Sequence, residues 1–149
     1  MISSQNSKYI NFWLYTTISM VVIMILIGGI TRLTDSGLSM VEWRPIWGFF
    51  SPISDEEWKR VFSLYMSSPE YIFKNQGMSI VEFKEIFFWE YFHRLWGRLI
   101  GIVFTIPLII FYLLNKIPSS ILKKLFTILF LGSLQAIIGW WMVKSGLVN

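Results

Sequence analysis

A glutamate and the only histidine of the chain lie three residues apart in the stretch EYFH, as Glu90 and His93. An imidazole nitrogen can take the iron of a haem as an axial ligand, and a carboxylate can accept a proton or stabilise developing positive charge. Residues three and four apart share one face of a helix. A helical stretch therefore places the carboxylate and the imidazole on one stripe, which Gly97 and Gly101 continue.

This stripe has room for a flat ligand. Gly97 and Gly101 carry no side chains, so a haem could lie beside the His93 imidazole, and Arg94 and Arg98 could meet its anionic propionates. Each residue type also has a simpler interpretation: a lone histidine as a hydrogen-bonded anchor at a membrane surface, Gly-x-x-x-Gly as a helix-packing notch, and arginines as charges that reach from an apolar surface to water. The residues alone thus predict a candidate haem site and no particular reaction.

The composition indicates that the elements holding these residues are membrane helices. The 149-residue chain is 54% hydrophobic and 18% aromatic, with a mean hydropathy of +0.57. A helix needs about 20 mostly apolar residues to cross a bilayer. Apolar runs at about 12–30, 99–114 and 125–143 predict an all-α integral membrane protein with three transmembrane helices in contact with lipid.

The lysines predict the orientation of these helices. The linker between the second and third runs carries Lys116, Lys123 and Lys124 with no acidic residue, which is typical of a cytoplasmic loop. The N-terminus is then cytoplasmic, and the segment 31–98 and the C-terminus lie on the outer side. The net charge of +4 follows from this topology, and no sequence signature points to a nucleic-acid partner.

The outer segment 31–98 is expected to be folded. It is rich in aromatic residues, and two capping boxes, in which a serine is followed three residues later by a glutamate, predict helix starts. The first pair, Ser54 and Glu57, predicts a helix through about Tyr65, and the second pair is Ser79 and Glu82. We therefore expect two or three short helices near the membrane surface.

Four longer sequence motifs are present in addition to these single residues. The stretches GGITRLTDSGLSMVEWRPIWG, SPEY, FKEIFFWEYFHRLWGRLIG and LQAIIGWWMVKSGL occur in this order between about residue 12 and the end of the chain. Together they closely resemble haem A synthase of the alphaproteobacterial and mitochondrial type.

The resemblance implies a fold and a reaction. Haem A synthases are membrane oxidoreductases of eight helices in two halves, and they oxidise a methyl group of haem O to the formyl group of haem A for cytochrome oxidase. The oxygen is thought to come from water. By this resemblance, His93 would be an axial ligand of the substrate haem in the N-terminal half, and Glu90 the carboxylate needed for oxidation. A haem b cofactor would belong to the C-terminal half.

This sequence departs from the family pattern in two respects. It has no cysteine, so it falls with the branch that lacks a cysteine pair in the outer segment. It also stops before the fourth helix, which would bring the second histidine of this half. We therefore expect the first part of a haem A synthase, inactive alone: either a fragment of a split or decayed gene or one piece of a complex completed by a second chain. We expect it in a bacterial inner membrane, with Glu90 and His93 near the outer face. The alternative is a non-catalytic three-helix membrane subunit or a haem carrier.

Overall fold

The computed structural model describes residues 4–42 and 47–145, which form helices joined by loops and contain no strand. The helices are α1 (Ser4–Leu33), a short 3-10 helix (Trp47–Phe49), α2 (Asp55–Met66), α3 (Pro69–Phe73), α4 (Ile80–Leu113) and α5 (Ser119–Ser145). Three of them are long and apolar enough to cross a membrane, over Ser7–Leu33, Ile80–Leu113 and Ser119–Ser145. The all-α class and the three predicted membrane helices are confirmed.

The second long helix begins much earlier than its apolar run. The apolar run begins at about residue 99, whereas α4 begins at Ile80, so the last part of the predicted outer segment is helical as well. The 34 residues of α4 extend about 51 Å at about 1.5 Å per residue, against a hydrocarbon core of about 30 Å. The apolar run marks the most hydrophobic part of this helix, whereas the capping pair Ser79 and Glu82 marks its start.

The described residues fall into two compact units, each treated separately below. The first unit takes its described residues from Met1–Ile25 and Trp96–Ile137. Its core is apolar and consists of Ile10, Trp13, Phe104, Leu108 and Leu125. The Trp13 ring stacks on Phe104 with ring centres 5.5 Å apart, and its indole N–H donates to the carbonyl oxygen of Val103 at 2.9 Å.

The second unit takes its described residues from Leu26–Leu95 and Ile138–Asn149. Its core is aromatic: Tyr65, Phe83 and Phe87 are buried, and Trp58 packs on them from α2. Burial raises the pKa of the Tyr65 phenol above its ordinary value, although its hydroxyl accepts a 2.7 Å hydrogen bond from the side-chain amide of Asn75. This cluster fixes the short helices against the N-terminal part of α4.

Both predicted capping boxes mark helix starts. The Ser54 hydroxyl accepts a hydrogen bond from the Glu57 backbone N–H at 3.2 Å, and α2 runs from Asp55 to Met66. Before α4, the backbone N–H of Ser79 donates to the Glu82 carboxylate at 2.7 Å, and the Ser79 hydroxyl accepts from the Glu82 N–H at 3.4 Å. The short helices of the predicted outer segment therefore form as expected.

Candidate functional site

The residues predicted to form the site divide between the two units. Glu90, His93 and Arg94 belong to the second unit, whereas Gly97, Arg98 and Gly101 belong to the first. All six lie on α4.

Glu90 is a buried carboxylate with donors on both oxygens. Glu90 is 4% exposed as a whole residue, and its side chain is 5% exposed. One oxygen, Oε2, accepts hydrogen bonds from the Ser39 hydroxyl and from the Met40 backbone N–H, both at 2.7 Å. The other oxygen, Oε1, pairs with the guanidinium of Arg94. An ionised carboxylate accepts hydrogen bonds and donates none, so this arrangement suits the charged form of Glu90.

Arg94 connects the same carboxylate to the loop after α1. The side chain of Arg94 is 9% exposed, and its Nη2 also donates to the carbonyl oxygen of Met40 at 3.1 Å. Buried charges are tolerated when they are paired and hydrogen bonded. Arg94 is therefore a buried partner of Glu90 and not an exposed interfacial charge. Its predicted contact with a haem propionate stays a prediction.

The loop that follows α1 positions the donors of Glu90. The helix ends in a turn in which the backbone N–H of Ser36 donates to the carbonyl oxygen of Thr31 at 3.0 Å, and Asp35 has a φ of 49°. Asp and Asn adopt this left-handed conformation more readily than most residues. Ser36 and Ser39 are both buried, and the Ser39 hydroxyl lies 3.2 Å from the Ser36 carbonyl oxygen. Ser39 and Met40 were not predicted as partners of Glu90; the Asp-Ser-Gly stretch at 35–37, a composition typical of a turn, lies just before them.

His93 lies one helical turn from Glu90 and is half-buried. A Cβ atom placed on Gly28 of α1 would lie 3.4 Å from His93 Nε2 and 3.7 Å from its Cδ2. Within residues 4–42 and 47–145, Glu90 and His93 make no hydrogen bond to each other. A role for Glu90 in holding the imidazole by a hydrogen bond is therefore not supported by the described contacts.

The glycines in the first unit have unequal surroundings. A Cβ atom on Gly97 would lie 3.4 Å from the methyl carbon of Met24, whereas a Cβ atom on Gly101 would have no neighbour within 4 Å. Gly97 thus packs against α1 in the way a helix-packing notch would, and Gly101 borders open space. Arg98 is half-exposed.

The described residues favour a haem over a bare metal ion. No group of three or more histidine, cysteine, aspartate or glutamate side chains comes together among the described residues. A closed zinc site needs about four such ligands, whereas a haem brings its own nitrogen ligands and requires only an axial group. A single half-buried imidazole beside a bare glycine fits that requirement.

Comparison with known proteins gives a consistent family assignment. Residues 11–149 match the COX15-CtaA family, described as cytochrome oxidase assembly protein. The chain is 46% identical over 144 residues to "Heme A synthase" of Caulobacter sp. (strain K31), which covers 97% of this chain and 42% of the relative. It is 50% identical over 137 residues to "Heme A synthase" of Paramagnetospirillum magneticum, covering 92% of this chain and 39% of the relative.

A third relative agrees in both identity and coverage. "Heme A synthase" of Nitrosospira multiformis is 49% identical over 142 residues, or 95% of this chain and 40% of the relative. The chain therefore spans about two fifths of the length of the curated relatives it matches. No solved structure matches it.

Proposed function

The chain belongs to the COX15-CtaA family of cytochrome oxidase assembly proteins, and from this premise we propose that it supplies the substrate-haem site of a haem A synthase. The proposed reaction converts a methyl group of haem O to the formyl group of haem A. It adds the oxygen of one water molecule and releases four protons and four electrons, so an electron acceptor is required. The observation that carries the proposal is the buried, hydrogen-bonded carboxylate of Glu90 one helical turn from the half-buried imidazole of His93.

In this proposal His93 is the axial ligand of the haem O iron. Three features support it: His93 is the only histidine of the chain, it is half-buried, and the residue that faces its Nε2 from α1, Gly28, has no side chain. Gly97, Gly101, Arg94 and Arg98 are proposed to border the same haem, the arginines near its propionates. The second axial position of this haem would be filled by another side chain, by water or by a second polypeptide. The haem b cofactor of the family would belong to the C-terminal half.

Glu90 is proposed to act on the methyl group electrostatically. Oxidation of the methyl group develops positive charge on its carbon, and a fixed negative charge nearby lowers the energy of that state. Ser39, Met40 and Arg94 donate three hydrogen bonds to the carboxylate, which has about four lone-pair sites. One site on Oε1 is therefore left from which Glu90 could also act as a general base toward water.

The proposed location is the bacterial inner membrane. The three apolar helices make this a multi-pass membrane protein. The lysine-rich linker before α5, with Lys116, Lys123 and Lys124, supports a cytoplasmic N-terminus. The site on α4 would then lie near the outer face.

One observation favours a second candidate, a non-catalytic role as a membrane subunit or haem carrier. Glu90 and Arg94 together tie the loop after α1 to α4. Ser39 and the Met40 N–H donate to Glu90, and the Met40 carbonyl oxygen accepts from Arg94. A carboxylate that serves only to hold this loop would show the same hydrogen bonds. The two roles predict different effects of removing the Glu90 charge on the conversion of haem O to haem A.

The test uses a chimera in which this chain replaces the matching part of the Caulobacter relative. Glu90→Gln removes the charge at nearly constant volume, and Glu85→Gln is the matched control because Glu85 is exposed on the same helix. Bound haem O and the haem A produced are both measured after extraction from membranes.

We expect Glu90→Gln to retain haem O and to produce haem A at least about 100-fold more slowly, a loss of about 2.7 kcal/mol of transition-state stabilisation. The Glu85→Gln control should match the parent chimera in both measurements. Normal haem A production by Glu90→Gln would overturn the catalytic role, and a parallel loss of haem O and haem A would favour the non-catalytic one.

A further inference from the structure

Two consecutive glycines near the end of α1 have different surroundings. A Cβ atom on Gly28 would lie 3.4 Å from Nε2 of His93, whereas a Cβ atom on Gly29 would have no neighbour within 4 Å. Both glycines lie inside the helix Ser4–Leu33. Substitution of Gly28 can therefore test the contact with His93, and Gly29, one residue away, serves as the control.

A glycine inside a helix is less favourable than alanine by about 1 kcal/mol, because the flexible residue loses more conformational freedom on folding. Local helix stability thus gives no reason for Gly28. The carbonyl oxygen of Gly28 accepts a hydrogen bond from the Thr31 hydroxyl at 2.8 Å, a bond that any residue type could accept. The atoms that a side chain at position 28 would meet first are Nε2 and Cδ2 of the His93 imidazole.

We propose that Gly28 is a positioning residue of the haem site, where its bare backbone keeps the space next to Nε2 of His93 free for the porphyrin. This inference rests on the proposed function, in which that imidazole binds haem iron. A porphyrin whose iron is bound to an imidazole lies across the iron–nitrogen bond, so protein atoms beside the nitrogen contact the flat face of the ring. A side chain larger than a methyl group at position 28 would occupy that space.

The contact distance predicts a graded effect of side-chain size. At 3.4 Å, the alanine methyl group would make an ordinary van der Waals contact with Nε2, so Gly28→Ala leaves the imidazole in place and narrows the space beside it. Leucine adds three more carbon atoms in the same direction. At position 29, a Cβ atom has no neighbour within 4 Å, so we expect substitutions there to leave the imidazole undisturbed.

The experiment measures haem O binding by the chain itself, purified in detergent from cells that make haem O. The variants are Gly28→Ala, Gly28→Leu, Gly29→Ala, Gly29→Leu and His93→Ala. Haem is quantified by extraction and by the absorption spectrum, and helix content is checked by circular dichroism. A second readout is the rate at which diethyl pyrocarbonate modifies His93, which reports access to the only histidine without any haem.

We expect Gly28→Leu to weaken haem O binding at least about tenfold, equivalent to about 1.4 kcal/mol, and to slow the modification of His93. Gly28→Ala should weaken binding severalfold at most and shift the absorption maximum of the bound haem. Both Gly29 variants should match the parent in binding, spectrum and modification rate. If Gly28→Leu does not fold, the absorption spectra and the His93 modification rates of Gly28→Ala and Gly29→Ala are compared instead.

Failure of this inference and failure of the proposed function give different results. Haem bound by the parent, lost in His93→Ala and unchanged in every Gly28 variant would overturn the role of Gly28 while the proposed function stands. A parent and a His93→Ala variant that bind equally, or that both lack haem, would overturn the proposed function and the role of Gly28 with it.

Discussion

Replacing Arg94 with leucine should destabilise the attachment of the loop after α1 to α4. The substitution leaves the Glu90 carboxylate buried, at 5% side-chain exposure, without its cationic partner. Breaking one partner of a buried ion pair costs about 3–5 kcal/mol. Because Ser39 and the Met40 N–H still donate to Oε2, we expect the lower end, about 3 kcal/mol.

The assay is hydrogen exchange of the backbone amides in residues 34–42, followed by mass spectrometry in detergent. A loss of about 3 kcal/mol corresponds to exchange that is faster by about 160-fold if the loop opens locally. Thermal unfolding followed by circular dichroism gives the same comparison for the whole chain. Exchange is the sharper readout, since it reports the loop directly.

Arg60 provides the matched control. It pairs with Glu42 at 3.0 Å, but these side chains are 41% and 38% exposed, so the same substitution should cost less than about 1 kcal/mol. The double variant Glu90→Gln with Arg94→Leu removes the buried charge and should be more stable than Arg94→Leu alone. Equal costs for Arg60→Leu and Arg94→Leu, or no recovery in the double variant, would refute the reasoning.

Other expected outcomes address separate features. Ser39→Ala removes one donor to the Glu90 carboxylate. It should lower the stability of the loop by about 1.5–3 kcal/mol and so speed amide exchange in residues 34–42. Unchanged exchange would contradict a contribution from the 2.7 Å hydrogen bond. Ser54→Ala removes the N-cap of α2 and should lower stability by about 1 kcal/mol in thermal unfolding, with the exposed Ser63 of the same helix as a control site for alanine. Because burial raises the pKa of Tyr65, the folded form holds the phenol proton more tightly than the unfolded form. That contribution to stability is complete below the unfolded pKa of about 10 and is lost as the pH rises through the folded pKa. Unfolding midpoints measured above about pH 10 should therefore fall more steeply for the parent than for Tyr65→Phe.

The sequence was sufficient for features that depend on local patterns. Apolar run length predicted the three membrane helices, and serine–glutamate spacing predicted the starts of α2 and α4. The start of α4 also shows the limit of hydropathy, because Ser79 and Glu82 marked it while the apolar run pointed to about residue 99. Where the apolar run and the serine–glutamate pair disagreed, the serine–glutamate pair located the start of the helix.

The partners of the site residues could not be predicted in the same way. Ser39 and Glu90 are 51 residues apart in the chain, and no periodicity links them. Spacing placed the glutamate and the histidine on one face of a helix but gave no reason to expect Ser39 as the donor, or Gly28 beside the imidazole. Such contacts depend on how the end of α1 and its loop pack on α4.

The most direct test of the central claim is a haem extraction and absorption spectrum of this chain, purified from cells that make haem O, beside its His93→Ala variant. The account predicts haem O in the parent and at least about tenfold less in the variant, because His93 is the only imidazole available to the iron. Equal haem O in the two proteins, or none in either, would contradict the claim that His93 holds the substrate haem.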